Sequence, residues 1–318
     1  MAPASAKSKK KKEGLLDKVS SLFGGGKSDD EKPAPVAAKL TIEQLSADLS
    51  DPDEGKLWPA KRLNVVEKLW GEGYVTPGGA EQVEKMLPLL ELSSKKSALL
   101  LGPGLGGINE TIVERTGAWL TALERDTELA TIGMAAMQRA NLKKQAPVHP
   151  STMEEMQLKP KSFDVMISFE GTLTVADKKA LFASVCDSLR PNGEMMFTAF
   201  VLPDTNPPND QVKAWMAAEP ENAKPQLWPA EAMVGLLNSL NMEVRPFDDI
   251  SVDYKKWVLK GFLRFLADIS KAEILSVANE LLSEVEYWTK RVTAIESGGV
   301  KVCRFHAIKL PDKRKPRM

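Results

Sequence analysis

Between Ser97 and Glu124 the chain turns apolar, glycine-rich, helical and apolar again, and then stops on an acid. Ser97-Ala98-Leu99-Leu100-Leu101 is an apolar run of the kind a buried strand needs. Gly102-Pro103-Gly104-Leu105-Gly106-Gly107 follows at once, and Ile108 to Thr116 has helical spacing. A second strand, Ala118 to Leu123, ends on Glu124. Glycines let a backbone approach a ligand closely, and the first turn of a helix offers unpaired N–H groups. A carboxylate at the end of the second strand can accept both hydroxyl protons of a ribose. Gly102, Gly104, Gly107 and Glu124 therefore predict a ribose-bearing ligand at the carboxyl edge of a parallel sheet, and their spacing alone satisfies the nicotinamide dinucleotide fingerprint.

The pattern continues in the same rhythm. Helix is expected over 127–140, strand over 147–149 and 163–168, helix over 177–189, and strand over 194–201. Arg190-Pro191-Asn192-Gly193 reads as the turn that closes the last of these helices. Alternating strands and helices predict an α/β fold with a doubly wound parallel sheet. Upstream, helices are expected over 60–70 and 80–90, on either side of the turn-rich segment 71–79. Downstream, residues 202–230 hold six prolines and read as a connector or lid. A helix over 230–240, a strand over 242–245, two helices within 251–293 and a final strand over 300–309 complete the chain. That final strand alternates in a way expected of a solvent-facing strand.

Composition narrows the class. No stretch approaches the ~18 apolar residues of a membrane span, and no apolar core of a secretory signal is seen at the start. Cys186 and Cys303 are the only cysteines and lie far apart, which excludes a disulfide scaffold and a cysteine zinc site. Two histidines, His149 and His306, argue against a histidine metal centre, so no metal is expected. A reducing cytoplasmic compartment is the expectation. The chain has zero net charge, yet residues 1–12 carry five lysines and no acid and residues 309–318 sum to +4, which leaves −9 on residues 13–308. An acidic body is a poor partner for duplex nucleic acid. Residues 1–40 are expected to be a disordered basic tail with one short amphipathic helix through Leu15, Leu16, Val19, Leu22 and Phe23. Residues 7–23 read either as a weak contact to the inner face of an anionic membrane or to a protein, or as a solubilising tail. The body is expected over 41–309, with lid helices in 57–96, a cofactor core in 97–201 and a cap with C-terminal helices in 202–300. Residues 310–318 form a second basic tail.

Several segments taken together resemble a known family. Gly102-x-Gly104-x-Gly106, Ser162-Phe163-Asp164 before the fourth strand, Leu189-Arg190-Pro191-Asn192-Gly193 before the fifth, and the late final strand resemble the class I S-adenosylmethionine-dependent methyltransferases. Trp70-Gly71-Glu72-Gly73-Tyr74-Val75-Thr76-Pro77-Gly78-Gly79, Trp288-Thr289-Lys290-Arg291 and Phe305-His306-Ala307-Ile308-Lys309 resemble the phosphoethanolamine and glycine/sarcosine N-methyltransferase group. The resemblance implies a seven-stranded Rossmann-like sheet with the last strand antiparallel, N-terminal helices and a helical cap insertion. It implies S-adenosyl-L-methionine as cofactor and a small-molecule amine, or another small acceptor, as substrate. Gly102, Gly104 and Gly106 would pack on the cofactor, and Glu124 would hold its ribose. Arg125 and Met153 would flank the adenine, and Thr152 would face its amino edge. Val75 and Thr76 would cover the site. Phe169 and Glu170 would line the substrate side together with Tyr74. Of these, Glu170 and Tyr74 are the catalytic candidates, Glu170 as the carboxylate that holds the amine or takes its proton.

The chain also departs from that group. Leu100 and Thr152 stand where acids usually meet the methionine end and the adenine of the cofactor. Trp58 and Thr174 align with a tyrosine–histidine pair that works together in the phosphoethanolamine enzymes. Two other readings therefore stay open. One is a methyltransferase-like protein that no longer turns over and acts as a binding or scaffold partner. The other is a nicotinamide-dependent oxidoreductase. Trp215, Trp228 and Tyr254 fall in the cap region, as substrate wall or as packing. His149 is expected to be a half-buried strand residue, and His306 and Cys186 to be structural.

Overall fold

A computed structural model describes residues 56–152 and 155–311. The tail helix at 15–23, Met153 and residues 312–318 lie outside the described residues.

Helices α1 (Ala60–Trp70) and α2 (Gly79–Met86) precede the sheet, and a short 3-10 turn follows α2 at Leu87–Leu89. The core then runs β1 (Ser97–Leu101), α3 (Gly107–Thr116), β2 (Trp119–Glu124), α4 (Thr127–Arg139), β3 (Val148–Pro150), β4 (Phe163–Phe169), α5 (Lys178–Ser188) and β5 (Leu189–Leu202). After it come α6 (Asp210–Ala218), the two-residue β6 (Trp228–Pro229), α7 (Ala230–Ser239), β7 (Met242–Val244) and the two-residue β8 (Asp248–Asp249). Three helices, α8 (Ser251–Asp268), α9 (Lys271–Ser276) and α10 (Ala278–Glu296), lead into β9 (Lys301–Lys309).

Seven strands form one path in the order β3-β2-β1-β4-β5-β9-β7, with β6 beside β5 and β8 beside β9. Strands β1 to β5 pair in parallel, and β9 runs antiparallel to both β5 and β7. This is the expected doubly wound sheet with its last strand reversed. Chain order turns outward in both directions from β1 and β4, so the crevice of such a sheet opens at their carboxyl ends. Successive side chains of a strand face opposite sides. Leu100, Ile167, Met196 and Phe200 pack on one face with α3, α8 and α10. Leu99, Leu101, Met166, Phe197 and Phe305 pack on the other with α5 and α7.

Three local expectations are corrected. Arg190-Pro191-Asn192-Gly193 does not close a helix. It loops out inside β5, which already pairs Leu189 with Phe163 before the register shifts to Val165 opposite Glu194. Asn192 takes a φ of +62° there, and the burial of Leu189 holds the strand start in place. Residues 251–296 form three helices, not two. Ser270 starts α9 with a capping box, its side chain taking the Glu273 N–H while Glu273 takes the Ser270 N–H. Strand β9 is not solvent-facing. It lies between β5 and β7, with Val302, Cys303, Phe305 and Ala307 buried. Cys186 is buried as expected, and His306 is held by Glu194 at 2.9 Å. His149 is exposed rather than half-buried.

The segment before the sheet is clamped onto it. The Gly107 N–H donates to the Gly73 carbonyl at 3.0 Å, and the Tyr74 hydroxyl donates to the Gly107 carbonyl at 2.9 Å. A Cβ on Gly107 would fall 2.8 Å from both the Gly73 oxygen and the Tyr74 ring. Gly107→Ala is therefore expected to destabilise the fold by about 1–3 kcal/mol through overpacking. Gly235, inside α7 with nothing near its missing Cβ, is the contrast: Gly235→Ala is expected to stabilise by about 0.5–1 kcal/mol. Denaturant titration of both variants checks the pair.

Candidate active site

A cavity of about 310 Å³ opens at the carboxyl ends of β1, β2 and β4. Each strand delivers its next residues to the wall: Gly102 and Gly104 after β1, Glu124 and Arg125 after β2, and Phe169 and Glu170 at the end of β4. Gly104 sits at φ +62°, and a Cβ there would lie 2.9 Å from the Val75 side chain. Only glycine therefore fits between the first strand and the covering segment. Val75 and Thr76 reach the wall from that segment.

Glu124 is buried and faces the glycine turn. Its Oε2 accepts the Gly104 N–H at 2.9 Å, and its Oε1 accepts the Asp126 N–H at 3.1 Å. Burial raises its pKa, with the Asp126 and Gly104 N–H groups working against that shift. Each carboxylate oxygen has two lone pairs, so both retain capacity for a ribose hydroxyl. Arg125 leans across the mouth and donates to the Thr174 hydroxyl at 2.6 Å. These groups fit the sugar end of an adenosyl cofactor. Leu100 is wholly buried in the core.

The opposite wall is built around one guanidinium. Arg291, on α10, is buried at 4% exposure. Its Nη1 donates to Glu170 Oε2 at 3.2 Å and its Nη2 to Glu219 Oε1 at 3.1 Å, and Nη2 also donates to the Tyr287 hydroxyl. The Trp215 indole N–H donates to the same Glu219 oxygen at 2.6 Å. The Arg291 guanidinium lies 4.6 Å from the centre of the Tyr287 ring and 4.8 Å from that of Trp288, within cation–π range. Glu170 takes a left-handed φ of +62°, and its N–H donates to Thr198 Oγ1. Burial raises the Glu170 pKa, although Arg291 and Tyr254 pull the other way. Its Oε1 is buried without a hydrogen-bond partner. Beside this cluster Arg62 pairs with Glu284 at 2.7 Å, and the Trp288 indole N–H donates to Glu284 at 2.9 Å.

Eight of the twelve expected site residues come together on this cavity: Glu170, Val75, Thr76, Gly102, Gly104, Glu124, Arg125 and Phe169. Three do not, and Met153 lies outside the described residues. Tyr74 is turned away to α3, where Gly107 and Thr111 take up its hydroxyl. Gly106 starts α3 at φ +100° against Met137 and Gly133, so its role is packing. Thr152 is half-buried and accepts the Glu155 N–H at 3.2 Å, shaping a turn rather than the wall. Trp58 and Thr174 do line the cavity, an indole and an aliphatic hydroxyl where the aligned pair has a phenol and an imidazole. Trp215 and Tyr254 are wholly buried against Phe200, and Trp228 packs on the other face of the sheet. Sequence reasoning missed Arg62, Glu219, Glu284 and Arg291 as wall residues. Their signal was faint: Glu284, Trp288 and Arg291 follow at i, i+4, i+7, a polar–aromatic stripe on one helix face.

Such a sheet, with a covering N-terminal segment and a crevice at its switch point, has the architecture of the class I methyltransferases. The methyltransferase domain family model matches residues 80–246, more than half of the chain. The chain belongs to that family and is a class I methyltransferase dependent on S-adenosylmethionine. The phosphoethanolamine N-methyltransferase of Plasmodium falciparum is 23% identical over 255 residues, 79% of this chain and 92% of that protein. Phosphoethanolamine N-methyltransferase 3 of Arabidopsis thaliana is 26% identical over 144 residues, 45% of this chain and 29% of that protein, so the match spans less than a third of the plant enzyme. Among solved structures, phosphoethanolamine N-methyltransferase 2 of Haemonchus contortus, in complex with phosphomonomethylethanolamine and S-adenosylhomocysteine, gives a TM-score of 0.67 at 16% identity, covering 81% of this chain and 60% of that one. Geranyl diphosphate C-methyltransferase of Streptomyces coelicolor gives 0.56 at 12% identity, covering 72% of this chain and 77% of that one. At such identities these likenesses speak for the fold. No helix among the described residues is long and apolar enough to cross a membrane.

The loop that carries Glu170 away from β4 is tied down by Lys178, whose buried ammonium donates to the Thr172 carbonyl at 2.6 Å. Burial lowers the Lys178 pKa from 10.5 to about 8. Below about pH 8 both folded and unfolded chains hold the proton, and the folded state bears the desolvation cost in full. Between about pH 8 and 10.5 the unfolded chain binds more protons, so this residue's contribution to stability rises with pH. The stability difference between wild type and Lys178→Met is expected to shift in favour of the wild type across that window and to be flat below it. Denaturant midpoints of both proteins measured from pH 7 to 10.5 check the sign.

Proposed function

We propose that the chain transfers a methyl group from S-adenosylmethionine to the nitrogen of a small amine, with Glu170 as the residue that receives the amine. The observation that supports this most is the buried Glu170 Oε1. It is a buried acceptor beside the Tyr254 hydroxyl, which is also without a partner, on a residue that lines the same cavity as the glycine turn. An orphaned buried carboxylate oxygen costs free energy, and an acceptor's N–H or ammonium would relieve that cost.

In this reading Gly102 and Gly104 hold the cofactor's methionine part by backbone approach, and Glu124 binds the ribose hydroxyls. Arg125 lies along the adenine side, and Val75 and Thr76 cover the cavity. Bound S-adenosylmethionine would supply an electrophilic methyl group on a sulfonium. The chain's own residues then have to align the nucleophile and exclude water. Glu170 is suited to both needs of an amine. Its carboxylate attracts the ammonium form, and its burial-raised pKa lets it take the proton that must leave before the lone pair can attack. Arg291 holds Glu170 in place and keeps that proton from being taken up too readily. The aligned tyrosine–histidine pair of the phosphoethanolamine enzymes is replaced here by Trp58 and Thr174. Any proton transfer therefore falls to Glu170.

Two features weigh against hydride transfer with a nicotinamide dinucleotide. Such a cofactor lays its pyrophosphate on the N-terminus of the first helix. In this chain the first free N–H of α3, that of Gly107, is already given to Gly73, and the Tyr74 ring stands over it.

S-adenosylhomocysteine is expected to bind the purified protein at micromolar affinity. Binding should be lost in Gly104→Asp, which drives a side chain into Val75, and weakened at least tenfold in Glu124→Ala. Calorimetric titration checks this, with circular dichroism to show that both variants fold. Absence of binding to the wild type up to about millimolar would overturn the reading.

A further inference from the structure

Resting on that reading, we infer that the acceptor site takes a net cation: an ammonium or methylated ammonium compound that carries neither phosphate nor carboxylate. The charge around the cavity points there. Among the described residues on its wall, five carry carboxyl groups (Glu124, Asp126, Glu170, Glu219 and Glu284) and three carry guanidiniums (Arg62, Arg125 and Arg291). S-adenosylmethionine brings one net positive charge. With all five ionised, one negative charge then remains on these residues, which matches a singly charged cation.

The placement of the guanidiniums makes the same point more sharply. A phosphate or carboxylate on the acceptor needs a cation that is free to receive it. Arg291 is held by two carboxylates, Glu170 and Glu219, at 3.2 and 3.1 Å, and all three side chains are at least 95% buried. Arg62 is held by Glu284 at 2.7 Å. Arg125 has a neutral partner, the Thr174 hydroxyl at 2.6 Å, and follows Glu124, so the proposed reading sets it along the cofactor. An anionic acceptor that reached Arg291 would have to enter beside Glu170 and Glu219 and displace one of them. Removing one partner of a buried pair leaves a charge without compensation.

The aromatic lining favours cations as well. The structure already places Arg291 against Tyr287 and Trp288, and Arg62 stands 4.5 Å over the Trp58 ring. These rings already hold the protein's own cations, and with the Glu170 carboxyl they make the wall one whose chemistry suits positive charge.

The test uses three probes on full-length protein: choline as a cation without an anionic group, phosphocholine and glycine betaine. Each is titrated calorimetrically into protein preloaded with S-adenosylhomocysteine, whose own binding is measured first. Choline is expected to bind at least tenfold more tightly than either of the others. Glu170→Gln and Glu219→Gln are each expected to weaken choline at least tenfold while leaving S-adenosylhomocysteine affinity within threefold. Tighter or equal binding of phosphocholine or betaine overturns the inference. So does the absence of choline binding, or an unchanged choline affinity in both variants. If S-adenosylhomocysteine itself fails to bind, the methyl-transfer reading falls. The same titrations on protein without it still read the charge preference of the site.

Discussion

The site depends on the buried guanidinium of Arg291. It reaches from α10 to Glu170 at the end of β4 and to Glu219 just past α6, so three distant segments of the chain meet on one charged group. Breaking such a pair by removing one partner costs about 3–5 kcal/mol, because the remaining charge stays buried. The pair has a second effect. Glu170 is driven toward its protonated form by burial and held back from it by Arg291 and Tyr254. A carboxyl group under those opposed influences can both attract an ammonium and accept its proton.

The rest of the cavity follows from the sheet. Parallel winding in two directions from β1 and β4 opens a crevice at their carboxyl ends. The sequence places glycines after β1, an acid after β2, and Phe169 and Glu170 at the end of β4. The roof comes from the segment between α1 and α2. It is fixed by close contacts between Gly73, Tyr74 and Gly107, so Val75 arrives so near Gly104 that a Cβ there would lie 2.9 Å from it. That clamp uses the first N–H of α3. A helix start that serves phosphate in dinucleotide enzymes serves here to hold the roof.

Local pattern made much of this legible. The apolar run of β1, the glycine turn and the acid at Glu124 are contiguous or nearly so, and their job is set by backbone geometry. The parallel winding also follows from chain rhythm, and the reversed β9 from the resemblance. What sequence did not reveal is what depends on distance along the chain. Arg291 lies 121 residues from Glu170, and no period or spacing links them. Tyr74 was misplaced for a related reason: its segment does cover the site, but one residue's rotation sends its hydroxyl to Gly107 and Thr111 instead of the cavity. The bulge at Arg190–Gly193 has turn chemistry, and it was tertiary pairing of Leu189 with Phe163 that kept it inside a strand. The third C-terminal helix had a readable signal in Ser270 and Glu273.

The account stands or falls on transfer at Glu170. The direct measurement is transfer of isotopically labelled methyl groups from S-adenosylmethionine to a panel of unphosphorylated primary amines, comparing the wild type with Glu170→Gln. The account predicts labelled amine product with the wild type. In the variant, kcat falls by about a hundredfold or more, the scale of a lost general base, while S-adenosylmethionine binding is kept. Undiminished turnover in Glu170→Gln, or label reaching only phosphorylated amines, would contradict it.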